Sequence, residues 1–235
     1  MIHRVSVIIP AYNEAPRIGT IIPLVVGRPD IAEVIVVDDG STDDTSAVAA
    51  RFPITLITLP KNRGKSYALA QGIEKSSGDL LCFLDADLYG LTEENISALL
   101  APVLSGDADM SISFRINARG FWRAIGINRA LKLIGIDYLS GERVVPRKLL
   151  AHNLQTIRSL PGFGIEVYIN SLVIKAKLRI ASVAWPNVEN PAKQAKHGLW
   201  RGVRHDIKMV TNIIHIAGVL GSIRQMYQLR KLKRL

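Results

Sequence analysis

The sequence predicts an α/β fold in which a mostly parallel central sheet is flanked by helices. Three observations carry this expectation. Short runs rich in β-branched residues alternate with helix-like stretches. The runs are apolar almost throughout, as in strands covered on both faces. A polar cluster follows each run, as loops do at the carboxyl edge of a doubly wound sheet.

The elements follow in order. RVSVIIP, residues 4–10, reads as the first strand, so the N-terminus is expected to be a strand and not a secretion signal. EVIVVDD (33–39), ITLITL (54–59) and DLLCFLD (79–85) read as the next three, and DMSISF (109–114) as another. Helices are expected at 16–27, 43–51, 64–76 and 92–104. In STDDT, Ser41 or Thr42 is expected to cap the second helix, with acids in its first turn.

A chain of 235 residues with 48% apolar content supports one such domain and an appendage. The boundaries are read at 1–190 for the α/β domain, divided into halves 1–90 and 91–190, and at 191–235 for a helical tail. The single cysteine, Cys82, permits no internal disulfide and fits a reducing cytoplasm. The longest apolar stretch, 209–223, falls short of the roughly 20 residues of a spanning helix and carries Asn212 and His215.

Polar residues after the strands are expected to converge on one rim. Pro10, Ala11, Tyr12, Asn13 and Glu14 end the first strand, and Asp38 and Asp39 the second. Lys61, Asn62, Arg63, Gly64 and Lys65 follow the third, and Asp85, Ala86 and Asp87 the fourth. No glycine-rich loop follows strand one, which excludes a P-loop or nicotinamide site of the usual kind. Two carboxylates separated by one residue face the same way if the strand persists, and they repel unless a cation sits between them. Mg²⁺ or Mn²⁺, with phosphate oxygens in its shell, suits such hard donors. Gly64 allows close backbone approach, Lys65 offers a phosphate or base contact, and Asp38 or Asp39 can accept from a base edge or ribose.

VSVIIPAYNEA, VIVVDDGSTDDT, NRGKSYAL and LLCFLDADL, in this order, resemble the family 2 glycosyltransferases of GT-A fold. The resemblance implies a Rossmann-like sheet, a nucleotide-sugar donor (UDP- or GDP-linked) and a metal ion. By resemblance Pro10, Ala11, Tyr12, Glu14, Asp38, Asp39, Gly64 and Lys65 hold the nucleotide. Asp85, Ala86 and Asp87 then lie at the metal and sugar, with Asp85 and Asp87 as metal ligands. Some members add a histidine from beyond a glutamate-bearing helix. His197 stands in that neighbourhood, with a surface histidine as the other reading and His205 as a further candidate.

DYLSGERVVPRKLL, residues 137–150, is similar to the acceptor segment of dolichyl- and polyprenyl-phosphate sugar synthases. Its Gly141–Glu142 pair, with PGFGIEVYIN at 161–170, is also similar to glucosyl-phosphoglycerate synthases. Both relatives act on phosphorylated acceptors. Glu142 and Glu166 are the candidate bases for an acceptor hydroxyl. An acceptor phosphate needs a cationic dock instead, for which Arg143 is the candidate, with Arg115 or Arg119. Alternatively, Arg143 pairs with Asp137 or Glu142 and holds a loop. Asp87, Glu142, Arg143 and Glu166 are thus the candidate catalytic residues, and stereochemistry at the sugar carbon stays open.

The net charge of +10 is concentrated at one end. Residues 192–235 hold ten Lys or Arg and one acid, Asp206, for +9; the other 191 hold twenty basic and nineteen acidic side chains, for +1. An amphipathic helix is expected over 209–235, with Ile213, Ile216, Leu220, Ile223 and Tyr227 on its apolar side. It is expected to lie on an anionic membrane surface, placing the protein at the cytoplasmic face. The alternatives are packing on its own domain or on a second copy in a homodimer.

The leading expectation is a metal-dependent transferase moving a hexose to a phosphorylated acceptor, such as a polyprenyl phosphate. A retaining transferase onto a small soluble acceptor such as phosphoglycerate is the alternative. Two other classes compete less well: a sugar-1-phosphate nucleotidyltransferase, disfavoured by the loop after strand one, and a basic binding module. The near-neutral body and 6% aromatic content argue against a nucleic-acid partner.

Overall fold

A computed structural model describes residues 3–114, 139–161, 164–189, 218, 221 and 224–233. In chain order these form β1 (Val5–Ala11), α1 (Ala15–Ile21) with a 3-10 turn (Ile22–Leu24), β2 (Glu33–Asp38), α2 (Thr45–Ala49) and β3 (Thr55–Thr58). Then come α3 (Lys65–Lys75), β4 (Leu80–Phe83), α4 (Glu93–Leu104), β5 (Met110–Phe114) and β6 (Arg143–Pro146). The series closes with α5 (Lys148–Ala151), α6 (Leu154–Ser159), α7 (Gly164–Ala176) and β7 (Ile180–Ala184).

The strands make one sheet in the order β3-β2-β1-β4-β6-β5-β7. β1 pairs in parallel with β2 and β4, β2 with β3, and β5 with β7. β6 runs antiparallel between β4 and β5, so the sheet is mixed though mostly parallel. Burial explains the apolar runs. On β1, Val5, Val7 and Ile9 join Ile18, Leu99 and Trp185 in the core on one face. Ile8 points to the other face with Leu69, Leu81, Ile157 and Val173.

Three local expectations are corrected. β4 stops at Phe83, and residues 86–87 form a turn, so the aspartates leave the strand before they are placed. α2 starts only at Thr45 and carries no side-chain cap. Ser41 instead bonds Asp38, through its amide (2.9 Å) and hydroxyl (2.5 Å), and the Thr42 amide donates to Asn13 Oδ1 (2.8 Å). The would-be capping residues are used up in tying the first two loops together. α4, by contrast, has the capping box its sequence offers, through Thr92 and Asn95.

Of the tail, residues 224–232 are helical. Leu229 is buried, and Met226 and Leu232 pack against the same core face as α7. Lys233 forms a parallel bridge with Ile180 at the sheet edge. Tyr227, expected on the apolar side, is 60% exposed with the Lys231 ammonium 4.6 Å over its ring. The helix therefore turns Leu229, not Tyr227, inward. Ile213, Ile216, Leu220 and Ile223 lie outside the described residues. Among the described residues no helix is long and apolar enough to cross a membrane.

Candidate active site

The strand order reverses beside β1, whose neighbours β2 and β4 are reached by connections running in opposite directions. Ligands of open α/β sheets bind outside the carboxyl ends of strands at such a point. β6, being antiparallel to β4, delivers its preceding loop to this same rim, because Arg143 sits opposite Phe83.

At the rim the Lys65 ammonium lies 2.7 Å from Asp85 Oδ1 and 2.9 Å from Glu166 Oε1. Lys65 opens α3 and Glu166 sits in the first turn of α7, so two helices and the β4 loop meet at one cation. Glu166 is buried, and its Oε2 has no hydrogen-bond partner among the described residues. Burial works against the Lys65 charge, but the Asp85 and Glu166 carboxylates more than offset it and hold the amine protonated well above its usual range. Burial pushes Asp85 up to about 6; Lys65 opposes the rise, and the Glu142 and Asp87 charges add to it. Among the described residues, the Asp85 and Glu166 carboxylates thus meet at the single Lys65 ammonium.

Asp39 builds the loop that presents Lys65. Its carboxylate accepts from the Arg63 and Gly64 amides, each at 2.7 Å, and its own amide donates to Ala11 (2.8 Å). Burial raises the Asp39 carboxyl while those two amides counter it. Gly64, at φ +91°, makes the turn into α3 that a side-chain-bearing residue resists. Asp38 is committed to its own loop, accepting from Ser41 and from the Ser46 hydroxyl. Of the two aspartates, Asp39 shapes the rim and Asp38 stiffens the loop behind it.

The remaining β1 residues divide in the same way. Pro10 and Ala11 pair with Val37 and Asp38, and Tyr12 is 45% exposed at the rim. Glu14 is buried, its Oε2 2.6–2.7 Å from the Arg17 guanidinium, which also donates to the Tyr89 hydroxyl (3.0 Å). Ala86 is buried and Asp87 half-buried.

The β6 loop shows what sequence reasoning missed. A Cβ on Gly141 would stand 2.7 Å from Lys65 Nζ and 2.9 Å from both Asp85 carboxylate oxygens. Only a glycine fits over that ion pair without moving it. Ser113 and Asn170 were not foreseen either: the first contacts Glu142 and the second Arg143. Arg143 is fully buried, its guanidinium donating to the Ser140 carbonyl and to Asn170 Oδ1. Arg143 is therefore turned inward among the described residues, with Ser140 and Asn170 among its partners, which accords with the loop-holding alternative more than with an exposed phosphate dock. Among the described residues no three His, Cys, Asp or Glu side chains are gathered as a metal cluster. His197, His205, Arg115, Arg119 and Asp137 lie outside the described residues.

The fold and rim define a class: an α/β protein with a carboxylate-rich site and an ordered lysine at the carboxyl edge of its sheet, beside a reversal of strand order. The model of glycosyl transferase family 2 matches residues 6–160, and the chain belongs to that family. It is 33% identical over 199 residues to glucosyl-3-phosphoglycerate synthase of Mycolicibacterium smegmatis, covering 69% of this chain and 61% of the relative. The corresponding figures for the enzyme of Mycolicibacterium paratuberculosis are 32% over 195 residues, 69% and 57%. The chain thus spans about three fifths of these relatives. A 4,4'-diaponeurosporenoate glycosyltransferase of Staphylococcus aureus is 34% identical over 100 residues, covering 40% of this chain and 27% of that protein. Among solved structures, glucosyl-3-phosphoglycerate synthase of Mycobacterium tuberculosis with Mn²⁺ and UDP-glucose is similar at TM-score 0.71 and 26% identity, covering 92% of this chain and 80% of that one.

Proposed function

We propose that the chain transfers a hexosyl group from a UDP-sugar to a small phosphorylated acceptor of the phosphoglycerate type, with Mn²⁺ or Mg²⁺ at Asp85 and Asp87. The observation that carries this is the Lys65 ammonium held between Asp85 and Glu166 at the carboxyl edge of β4. The residues present fit a divalent cation. Asp85 and Glu166 share the Lys65 ammonium, and Asp85 also feels the Glu142 and Asp87 carboxylates, so hard oxygen donors stand close together at the end of β4. When bound, the ion neutralises charge on the departing diphosphate.

The chain's own groups do the rest. Asp39 fixes the loop ahead of α3 so that Lys65 meets the donor from a set position. Tyr12 offers an exposed ring for the base. Glu166 has a buried carboxylate oxygen, Oε2, free to accept from a sugar or acceptor hydroxyl. Burial of Glu166 limits the water that can compete for its contacts.

The choice of acceptor rests on coverage. The Staphylococcus match covers 40% of this chain, whereas the glucosyl-3-phosphoglycerate synthases cover 69%, enough to extend past the donor half. Membrane docking of the tail would agree with a polyprenyl-phosphate acceptor, but Leu229 turns the apolar side of residues 224–232 onto the domain itself. The test is product analysis with UDP-glucose and Mn²⁺, offering 3-phosphoglycerate in one arm and a polyprenyl phosphate in vesicles in the other. Glucosylated phosphoglycerate in the first arm alone is expected. Product only in the lipid arm would reverse the choice of acceptor, and UDP-glucose left intact in both would end the proposal.

A further inference from the structure

The loop 139–142 is braced from beneath by a buried network that the proposed chemistry does not itself use. Ser140, Glu142 and Arg143 are all fully buried. The Ser140 hydroxyl donates to Glu142 Oε2 (2.7 Å) and lies 2.5 Å from the Ser113 hydroxyl, which is also 3.0 Å from Glu142 Oε2. The Ser140 carbonyl is held by Arg143, through Nε at 3.1 Å and a terminal nitrogen, and Nη1 of Arg143 donates to Asn170 Oδ1 (3.1 Å). The Ser113 amide donates to the Glu142 carbonyl (3.0 Å). Side chain and carbonyl of Ser140 are thus gripped from two sides, and the next residue is Gly141.

Gly141 in turn rests against the Lys65–Asp85 contact, closer than any Cβ allows. A loop whose backbone presses on an ion pair sets how far the ammonium and carboxylate can part. We propose that Gly141 is a positioning residue for the donor site: its bare α-carbon fixes the Lys65–Asp85 geometry, and the Ser113–Ser140–Glu142–Arg143–Asn170 network fixes its height. In this reading Glu142 and Arg143 position the loop and do not act on substrate. The inference rests on the functional reading above, because it concerns the site that would bind the UDP-sugar.

Gly141→Ala isolates the idea. Gly141 does not have the positive φ that would strain a side chain, and its new methyl group meets the end of a flexible lysine and a carboxylate. The variant should fold and yet displace the ion pair. The wild-type chain, G141A, K65M, the double variant and S113A are titrated with UDP and Mn²⁺ by calorimetry, and with Mn²⁺ alone by electron paramagnetic resonance. Melting temperatures are read in parallel. G141A is expected to melt near wild type while UDP binding weakens about tenfold, and to add nothing in the K65M background, since both act on one contact. S113A, which leaves Gly141 in place, is expected to weaken binding in the same direction by roughly two- to fivefold, and it carries the test should G141A fail to fold. The inference is overturned if G141A binds UDP–Mn²⁺ like wild type, if its effect adds fully to that of K65M, or if S113A has no effect. A wild-type protein that binds no UDP overturns the functional reading as well, which separates the two failures.

Discussion

Replacing Lys65 by Met removes the cation on which two carboxylate-bearing segments, the β4 loop and α7, converge. Glu166, only 2% exposed, is left buried with its partner gone, and Asp85 faces Asp87 and Glu142 without the charge that opposes them. Breaking a buried ion pair by removing one partner costs about 3–5 kcal/mol. The Lys65 and Asp85 side chains are 24% and 22% exposed, so water re-enters part of the gap and the cost should lie lower. We expect about 2–3 kcal/mol, which for a chain of this size lowers the melting temperature by roughly 5–10 °C. Urea unfolding measures it, with the midpoint falling and the slope unchanged. K65M/E166Q should recover about half the loss, because the orphaned charge is then absent. A K65M protein as stable as wild type, or a double variant no more stable than K65M, would refute the reasoning that the rim is electrostatically coupled.

Asp39→Ala removes the acceptor for the Arg63 and Gly64 amides; their hydrogen exchange should accelerate and UDP affinity fall about tenfold, for a loss of roughly 1–2 kcal/mol in loop order. Arg179 holds the Asp109 carboxyl below its ordinary value of 3.8. The folded state therefore releases that proton more readily than the unfolded chain, so the stabilisation is present above the ordinary value and is lost as pH falls through the lower folded one. The melting-temperature difference between wild type and D109N should accordingly shrink on acidification below about pH 4. Leu229→Ala should cost about 2–4 kcal/mol in urea unfolding if the tail helix packs as described, and nothing measurable if it does not.

How much of this was legible depended on how local the cause is. The rim was readable because each of its polar clusters sits at the end of a strand whose apolar run announces it. Asp39, Lys65 and Asp85 are far apart in sequence, yet parallel pairing of β1 with β2 and β4 brings their loops to one edge. Element ends were misjudged where polar side chains take over from the backbone pattern, as at the end of β4 (Leu84–Asp85) and the start of α2 (Ser41–Asp44). β6 was not legible as a strand. It has four residues, begins with a buried arginine, and owes its place to filling the gap between β4 and β5, a long-range matter. Its insertion is also why Arg143 points inward: the residue pairs with Phe83 in the sheet interior, where an expected phosphate contact would need it at the surface. The constraint on Gly141 comes from atoms of Lys65 and Asp85, which no pattern around residue 141 encodes. A small residue between two buried polar ones was the available signal. In the tail, periodicity alone favoured Tyr227 as a buried position, but the core face near β7 accommodates Leu229.

The central claim is that Asp85 and Asp87 grip a divalent ion that joins the protein to a nucleoside diphosphate. Calorimetric titration of UDP into wild type and Asp87→Ala, each with Mn²⁺ and with EDTA, addresses it most directly. Binding by wild type in Mn²⁺, abolished by EDTA and by D87A alike, is the expected result. UDP binding of equal strength in all four titrations, or in none, would contradict the account.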